Sequence, residues 1–181
     1  MPTTAEIIAR LGFPDTKGFQ TAWNLGTALD VDGIIGPYTS VAAMKSWDRH
    51  EHGLADLSAH FSAREFRCHC GGRLAGCAKL KVHRKLLSSL EKYRAKYSPR
   101  GVVIVSGYRC TKRNKSVGGA PGSMHRYGLA ADIYGDIAYS ALKSQHWFAG
   151  YGIASDGDVV HVDRRDVRGT ATLLSPDRWW Y

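Results

Sequence analysis

Apolar positions along the chain change their spacing several times, and each change marks a different element. Ile7, Ile8 and Leu11 recur at helical steps, as do Phe19 and Trp23 with Leu25 close behind. This predicts two short helices, the second opened by Asp15 or Thr16 as its cap. Asp32-Gly33-Ile34-Ile35-Gly36-Pro37 punctuates a tight turn before a third helix over 39–47. Residues 48–58 are polar and unpatterned, which predicts a linker. Ser62 and Glu65 then stand three apart, as in a capping box. Leu80, Leu86, Leu87, Leu90, Tyr93 and Tyr97 fall at three- and four-residue steps, an amphipathic helix over 80–96 with Lys and Arg on its wet face. Val102, Val103, Ile104 and Val105 read as a buried strand. Shorter β-prone runs follow near 129–133, 151–153 and 159–162, with a short helix over 137–148 between them. The pattern predicts an α+β fold in three parts: a small three-helix domain over 1–47, a linker over 48–58, and a domain over 59–181 whose small, mainly antiparallel sheet packs on helices. Trp179-Trp180-Tyr181 closes the chain as a hydrophobic clasp or an exposed contact edge.

Composition narrows the partners. At 181 residues and 44% hydrophobic content the chain can bury packed cores. No apolar run approaches the roughly 20 residues of a membrane span, so no membrane partner is expected. Glu6 and Arg10 interrupt the first residues, which lack the apolar core of a secretory signal; synthesis in a cytoplasm is expected. The net charge of +9 favours a polyanionic partner. The basic residues are nonetheless scattered and carry no nucleic-acid-binding signature, so nucleic acid is not expected.

The candidate chemistry lies in Ser123-Met124-His125-Arg126-Tyr127-Gly128-Leu129-Ala130-Ala131-Asp132. An imidazole and a carboxylate are both good zinc ligands at about 2 Å from the metal. On one helix the seven residues from His125 to Asp132 would span about 10 Å along the axis, too far for one tetrahedral ion. A turn at Gly128 followed by a short strand folds His125 back toward Asp132. A hydrolytic zinc site keeps three protein ligands and one open position, so a third ligand is needed. His161 is the best candidate: in Val160-His161-Val162-Asp163 it shares a strand face with Asp163, while the valines occupy the other.

Ser-x-His-x-x-Gly-x-Ala-x-Asp followed by His-x-Asp resembles the zinc peptidoglycan peptidases, which include D-alanyl-D-alanine carboxypeptidases and the L-alanyl-D-glutamate peptidases of phage endolysins. Ser106-Gly107-Tyr108-Arg109, residues 61–66 and Val117-Gly118-Gly119-Ala120 fit the same pattern. The resemblance spans roughly residues 57–165. It implies a monomeric zinc metallopeptidase that cuts a stem-peptide or cross-link bond of the bacterial cell wall, with zinc on His125, Asp132 and His161. It further implies that Arg109 grips a substrate carboxylate or carbonyl, and that Ser123 either bonds substrate or shapes its loop. The resembling enzymes carry their acidic base three residues before the last ligand, which points to Asp158; Asp163 is the rival, as base or as a partner orienting His161. The Asp-Gly-Ile-Ile-Gly-Pro-x-Thr run with Phe19-Gln20 before it resembles the three-helix peptidoglycan-binding repeat. The combination implies a lysin made in the host cytoplasm and acting on the wall. A wall-binding or signalling module that kept the fold but lost catalysis is the alternative.

Cys68, Cys70, Cys77 and Cys110 all fall in the second domain, and three readings stand: a structural zinc site, two disulfides, or inert buried thiols. His50 and His52 read as solvated linker residues rather than ligands.

Overall fold

The computed structural model describes residues 1–135, 140, 142, 146–153 and 159–168. Helix α1 (Thr4–Arg10) starts in a capping box, with Thr3 Oγ1 accepting from the Glu6 N–H and Glu6 reaching back to Thr3. Helix α2 (Thr16–Ala22) is capped by Asp15, whose carboxylate accepts from the Gly18 N–H at 2.7 Å. Helix α3 (Pro37–Glu51) opens on a proline, which supplies a preset φ and needs no donor there.

Helix α3 runs four residues past the expected end and into the stretch read as a linker. Its stop is set by Gly53 in the left-handed region and by tertiary contacts. Arg49 Nε donates to the Ala55 carbonyl, and His50 Nδ1 pairs with Asp56 at 2.9 Å. Asp56, Leu57 and Ser58 are buried, so residues 55–58 pack against the body of the protein.

Helix α4 (Arg84–Tyr97) begins later than its apolar stripe suggests. Leu80 is fully buried but pairs across an isolated bridge with Arg67, and the His83 ring accepts from the Lys85 N–H at 3.1 Å to cap the helix. A fifth helix, α5 (Thr111–Ser116), is a polar turn and a half without an apolar stripe, and periodicity does not reveal it.

Strands β1 (Val102–Ser106), β2 (Ala130–Gly135), β3 (Gly150–Ile153) and β4 (Val160–Asp163) form one sheet in the order β1-β2-β4-β3, antiparallel throughout. Together with the helices this makes the fold α+β. Val160, Val162 and Ile133 bury one sheet face in a core that also holds Leu86, Leu87, Leu90 and Tyr93 of α4. The same cluster continues through Leu57 to Ile7, Leu11, Phe19 and Trp23, so the N-terminal helices pack into one core with the rest. The helix expected over 137–148 and the C-terminal aromatic run fall largely or wholly outside the described residues. Of the former, Leu142 and Phe148 are described and buried.

Candidate active site

Two adjacent strands and one turn converge on the opposite face of the sheet. Asp132 on β2 pairs directly with His161 on β4, so both side chains leave the same face side by side. Ser106 on β1 is the partner of Asp132 on its other flank, after a bulge between Ile104 and Ser106. His125 arrives from a 3-10 turn (Met124–Tyr127) that ends at Gly128. Gly128 has φ +70°, and a Cβ there would meet the Lys81 carbonyl carbon at 2.6 Å; only glycine permits the reversal that brings His125 over β2.

Each imidazole has its far nitrogen committed. His125 Nδ1 lies 2.7 Å from the Gly107 carbonyl, which can only accept, so the ring must donate there and Nε2 carries the lone pair. His161 Nε2 lies 3.2 Å from Asp163 Oδ2, which fixes Nδ1 as its inward atom. His125 Nε2, Asp132 Oδ1 and His161 Nδ1 then stand 3.0, 3.0 and 3.1 Å apart, a nearly equilateral triangle of electron-pair donors. A tetrahedral ion with ligands at about 2.0 Å has ligand-to-ligand edges of about 3.3 Å. The donor set and its spacing fit such an ion.

The protonation of the site shows its demand for positive charge. Burial disfavours a charged His161, yet hydrogen bonds to Asp132 and Asp163 outweigh it and push the ring up to about 9. Burial drives His125 the other way, below the usual range for histidine. Burial also works against Asp132 ionising, but its polar contacts with His125 and His161 hold it well below the usual carboxylate range. A proton on His161 thus stands where the three donor atoms converge, and a bound metal ion would have to displace it.

Arg109 bonds Asp132 Oδ2 through Nη2 and Ser106 Oγ through Nε at 2.9 Å. It therefore turns Asp132 so that Oδ1 alone faces the histidines. It also lines a small cavity of about 220 Å³ with His69, Ser106, Tyr108, Arg113 and Val117. Asp163 is fully buried, and both of its oxygens are engaged by Arg165, through the backbone N–H at 3.0 Å, through Nε at 2.9 Å and through Nη2. A carboxylate so saturated orients His161 and is poorly placed to accept a proton from water. Ser123 is buried, and its backbone bonds Ala120 and Arg126, shaping the turn before His125. Asp158 lies outside the described residues. The four cysteines gather in a separate cluster behind Tyr108.

Sequence reading missed three supports. Arg165 could have been suspected from its place two residues after Asp163. Gly107 stood in the quoted Ser106-Gly107-Tyr108-Arg109 motif without a role assigned to it: a Cβ there would meet Phe66 Cα at 2.5 Å, so glycine lets residue 107 lie against the Ala63–Phe66 turn while its carbonyl holds His125. Asn114 Nδ2 donates to the Gly119 and Ala120 carbonyls and fixes the loop leading to Ser123. A larger groove of about 810 Å³ lies over the N-terminal helices, lined in part by Trp23, Leu25, Tyr38, Val41 and Lys45.

Residues 59–163 match the sequence profile of a family described as Peptidase M15. Over 165 residues the chain is 26% identical to the zinc D-Ala-D-Ala carboxypeptidase of Streptomyces albus G, covering 86% of this chain. The chain spans 63% of that relative's length.

Proposed function

Because the chain belongs to the peptidase M15 family, we propose that it is a zinc-dependent peptidoglycan peptidase of the endolysin type, cutting a peptide bond in the stem peptide or cross-link of the bacterial wall. Zinc is the metal to which both the family and the named relative point. The observation that carries the reading is the triangle of His125 Nε2, Asp132 Oδ1 and His161 Nδ1, with the outer atom of every ligand already bonded elsewhere.

His125, Asp132 and His161 would hold the zinc, which when bound supplies Lewis acidity toward a carbonyl and a water. Gly107 and Asp163 keep the two rings in the tautomers the site requires. Arg109 neutralises the outer oxygen of Asp132 and, with Arg113 across the small cavity, gives a carboxylate-bearing peptide two guanidinium groups to approach. Asp158 is the proposed general base, holding the water proton and returning it to the leaving amine. The saturation of Asp163 by Arg165 supports that assignment.

The three N-terminal helices are proposed to hold the enzyme on the wall through the groove over Trp23, Tyr38 and Val41; Tyr38 and Val41 are exposed. The proposed setting is that of a lysin, made inside the host and acting on its wall. Mass spectrometry of fragments released from purified peptidoglycan tests the activity. The expected result is a hydrolysed peptide bond in zinc-loaded wild type and none with His125→Ala; intact stem peptides and cross-links with zinc-loaded wild type would leave only a non-catalytic module.

A further inference from the structure

Residues 68–79 form a loop with almost no core of its own. Of its side chains only Cys68 and Cys70 are buried; Leu74, Cys77 and Ala78 are partly covered. The loop also turns through Gly71, Gly72 and Gly76 at positive φ, and through Lys79 at φ +61°, a conformation costly for a residue with a side chain. Hydrophobic burial on this scale does not hold such a path.

What the loop does instead is bring its sulfurs to one point, where Cys110 joins them from the end of the β1 connection. Cys70 Sγ lies 3.4 Å from Cys68, 3.3 Å from Cys77 and 3.9 Å from Cys110. All four sulfurs lie within 4.8 Å of one another, and none is in a disulfide. A tetrahedral ion with Zn–S bonds of about 2.3 Å has sulfur-to-sulfur edges of about 3.8 Å. Three backbone N–H groups point at these sulfurs, from Cys110 to Cys68, from Lys79 to Cys77 and from Arg113 to Cys110, each at 3.4 Å. Such donors compensate the negative charge of metal-bound thiolates and fix their direction. Two disulfides would need the sulfurs sorted into two pairs, whereas here Cys70 stands against all three others.

We propose that Cys68, Cys70, Cys77 and Cys110 hold a second, structural metal ion, a zinc-type divalent cation in an all-sulfur tetrahedral site, distinct from the triad at His125. The ion clamps the 68–79 loop to the chain at Cys110, next to Arg109, and so replaces a missing core. His69, carried on this loop, lines the cavity beside Arg109 together with Tyr108, so the clamp also shapes one wall of the cleft.

Metal analysis of full-length protein, with cobalt as the spectroscopic probe, tests this. Wild type is expected to bind two metal equivalents, with sulfur-to-cobalt charge-transfer bands and sulfur at about 2.3 Å by X-ray absorption. His125→Ala should keep one equivalent and the full sulfur signature while losing hydrolysis, which separates this site from the proposed catalytic one. Cys70→Ser should lose the signature; should that variant not fold, wild type and His125→Ala still decide. A single equivalent that vanishes in His125→Ala, four thiols that react freely in the metal-loaded native protein, or an intact mass showing two disulfides would each overturn the proposal.

Discussion

Asp163 shows how little a residue's type says about its role until its neighbours are known. Sequence alone leaves it and Asp158 as rivals for the general base, because both are acids close to His161. Arg165 counts against Asp163 by occupying its oxygens from the backbone and the side chain at once. Asp163→Asn is therefore expected to weaken metal binding by about ten- to a hundredfold, as loss of an outer partner does, with a smaller effect on turnover at saturating metal. Asp158→Asn should keep the metal and slow hydrolysis by about two to four orders of magnitude. Paired metal titration and turnover measurements on the two variants check this; full loss of turnover in metal-loaded Asp163→Asn beside an active Asp158→Asn would exchange the roles. Gly107 makes a second case. Gly107→Ala drives a methyl group into the Phe66 backbone, which cannot swing aside as a side chain can. A loss of about 1–3 kcal/mol of stability is expected, with weaker metal binding as the Gly107 carbonyl leaves His125. Denaturant unfolding and a metal competition assay read the two effects.

Elements were legible wherever burial imposed a period. The run at 160–162 and the leucine stripe of α4 announced themselves because one face of each is buried, whereas the run at 102–105, read as a buried strand, buries only the side of Val102 and Ile104 and leaves Val103 and Val105 exposed on the other. Helix α5 did not, since Thr111-Lys112-Arg113-Asn114-Lys115-Ser116 has no apolar face and is held by the Cys110 sulfur at its start. The ends of α3 and α4 were misjudged for a related reason: distant contacts and a histidine cap set them, not the last apolar residue. That cap makes a testable switch. Burial, and then the cations Arg84 and Lys85, lower the His83 ring from 6.5 to about 4. Below pH 6.5 the unfolded chain takes up a proton that the folded ring resists. The stabilisation is thus complete above about 6.5 and is lost as pH falls toward 4. Solvent around the half-buried ring should limit the effect to about 1 kcal/mol. Thermal unfolding of wild type and His83→Asn across this window is expected to show wild type losing stability relative to the variant as pH falls, since asparagine caps the helix without titrating. A constant difference would assign the cap no part in the acid response.

At the scale of the whole molecule, the N-terminal helices proposed to bind the wall share their packing with the rest of the chain. Arg84 of α4 donates to the Leu29 carbonyl at 2.9 Å, Ser88 bonds Asn24, and the apolar cluster runs unbroken from Ile7 to Val162. Calorimetry of the full chain is accordingly expected to show one cooperative transition, and two resolved transitions would contradict the shared core. In the groove, Tyr38→Ala should reduce sedimentation with insoluble wall material at moderate salt while leaving that transition unmoved, because Tyr38 is 84% exposed and supports no core. Testing at more than one ionic strength matters because a net charge of +9 attracts any polyanion when unscreened.

The pairing of Asp132 with His161 across neighbouring strands carries one more consequence. A slip of β4 by a single position would place a valine opposite Asp132 and turn His161 into the hydrocarbon interior that Val160 and Val162 now fill. The error would thus spoil the donor triangle and the core together. A chain slipped in this way would lose its core packing and its metal-binding geometry in one step, so the register that stabilises the fold also protects the site.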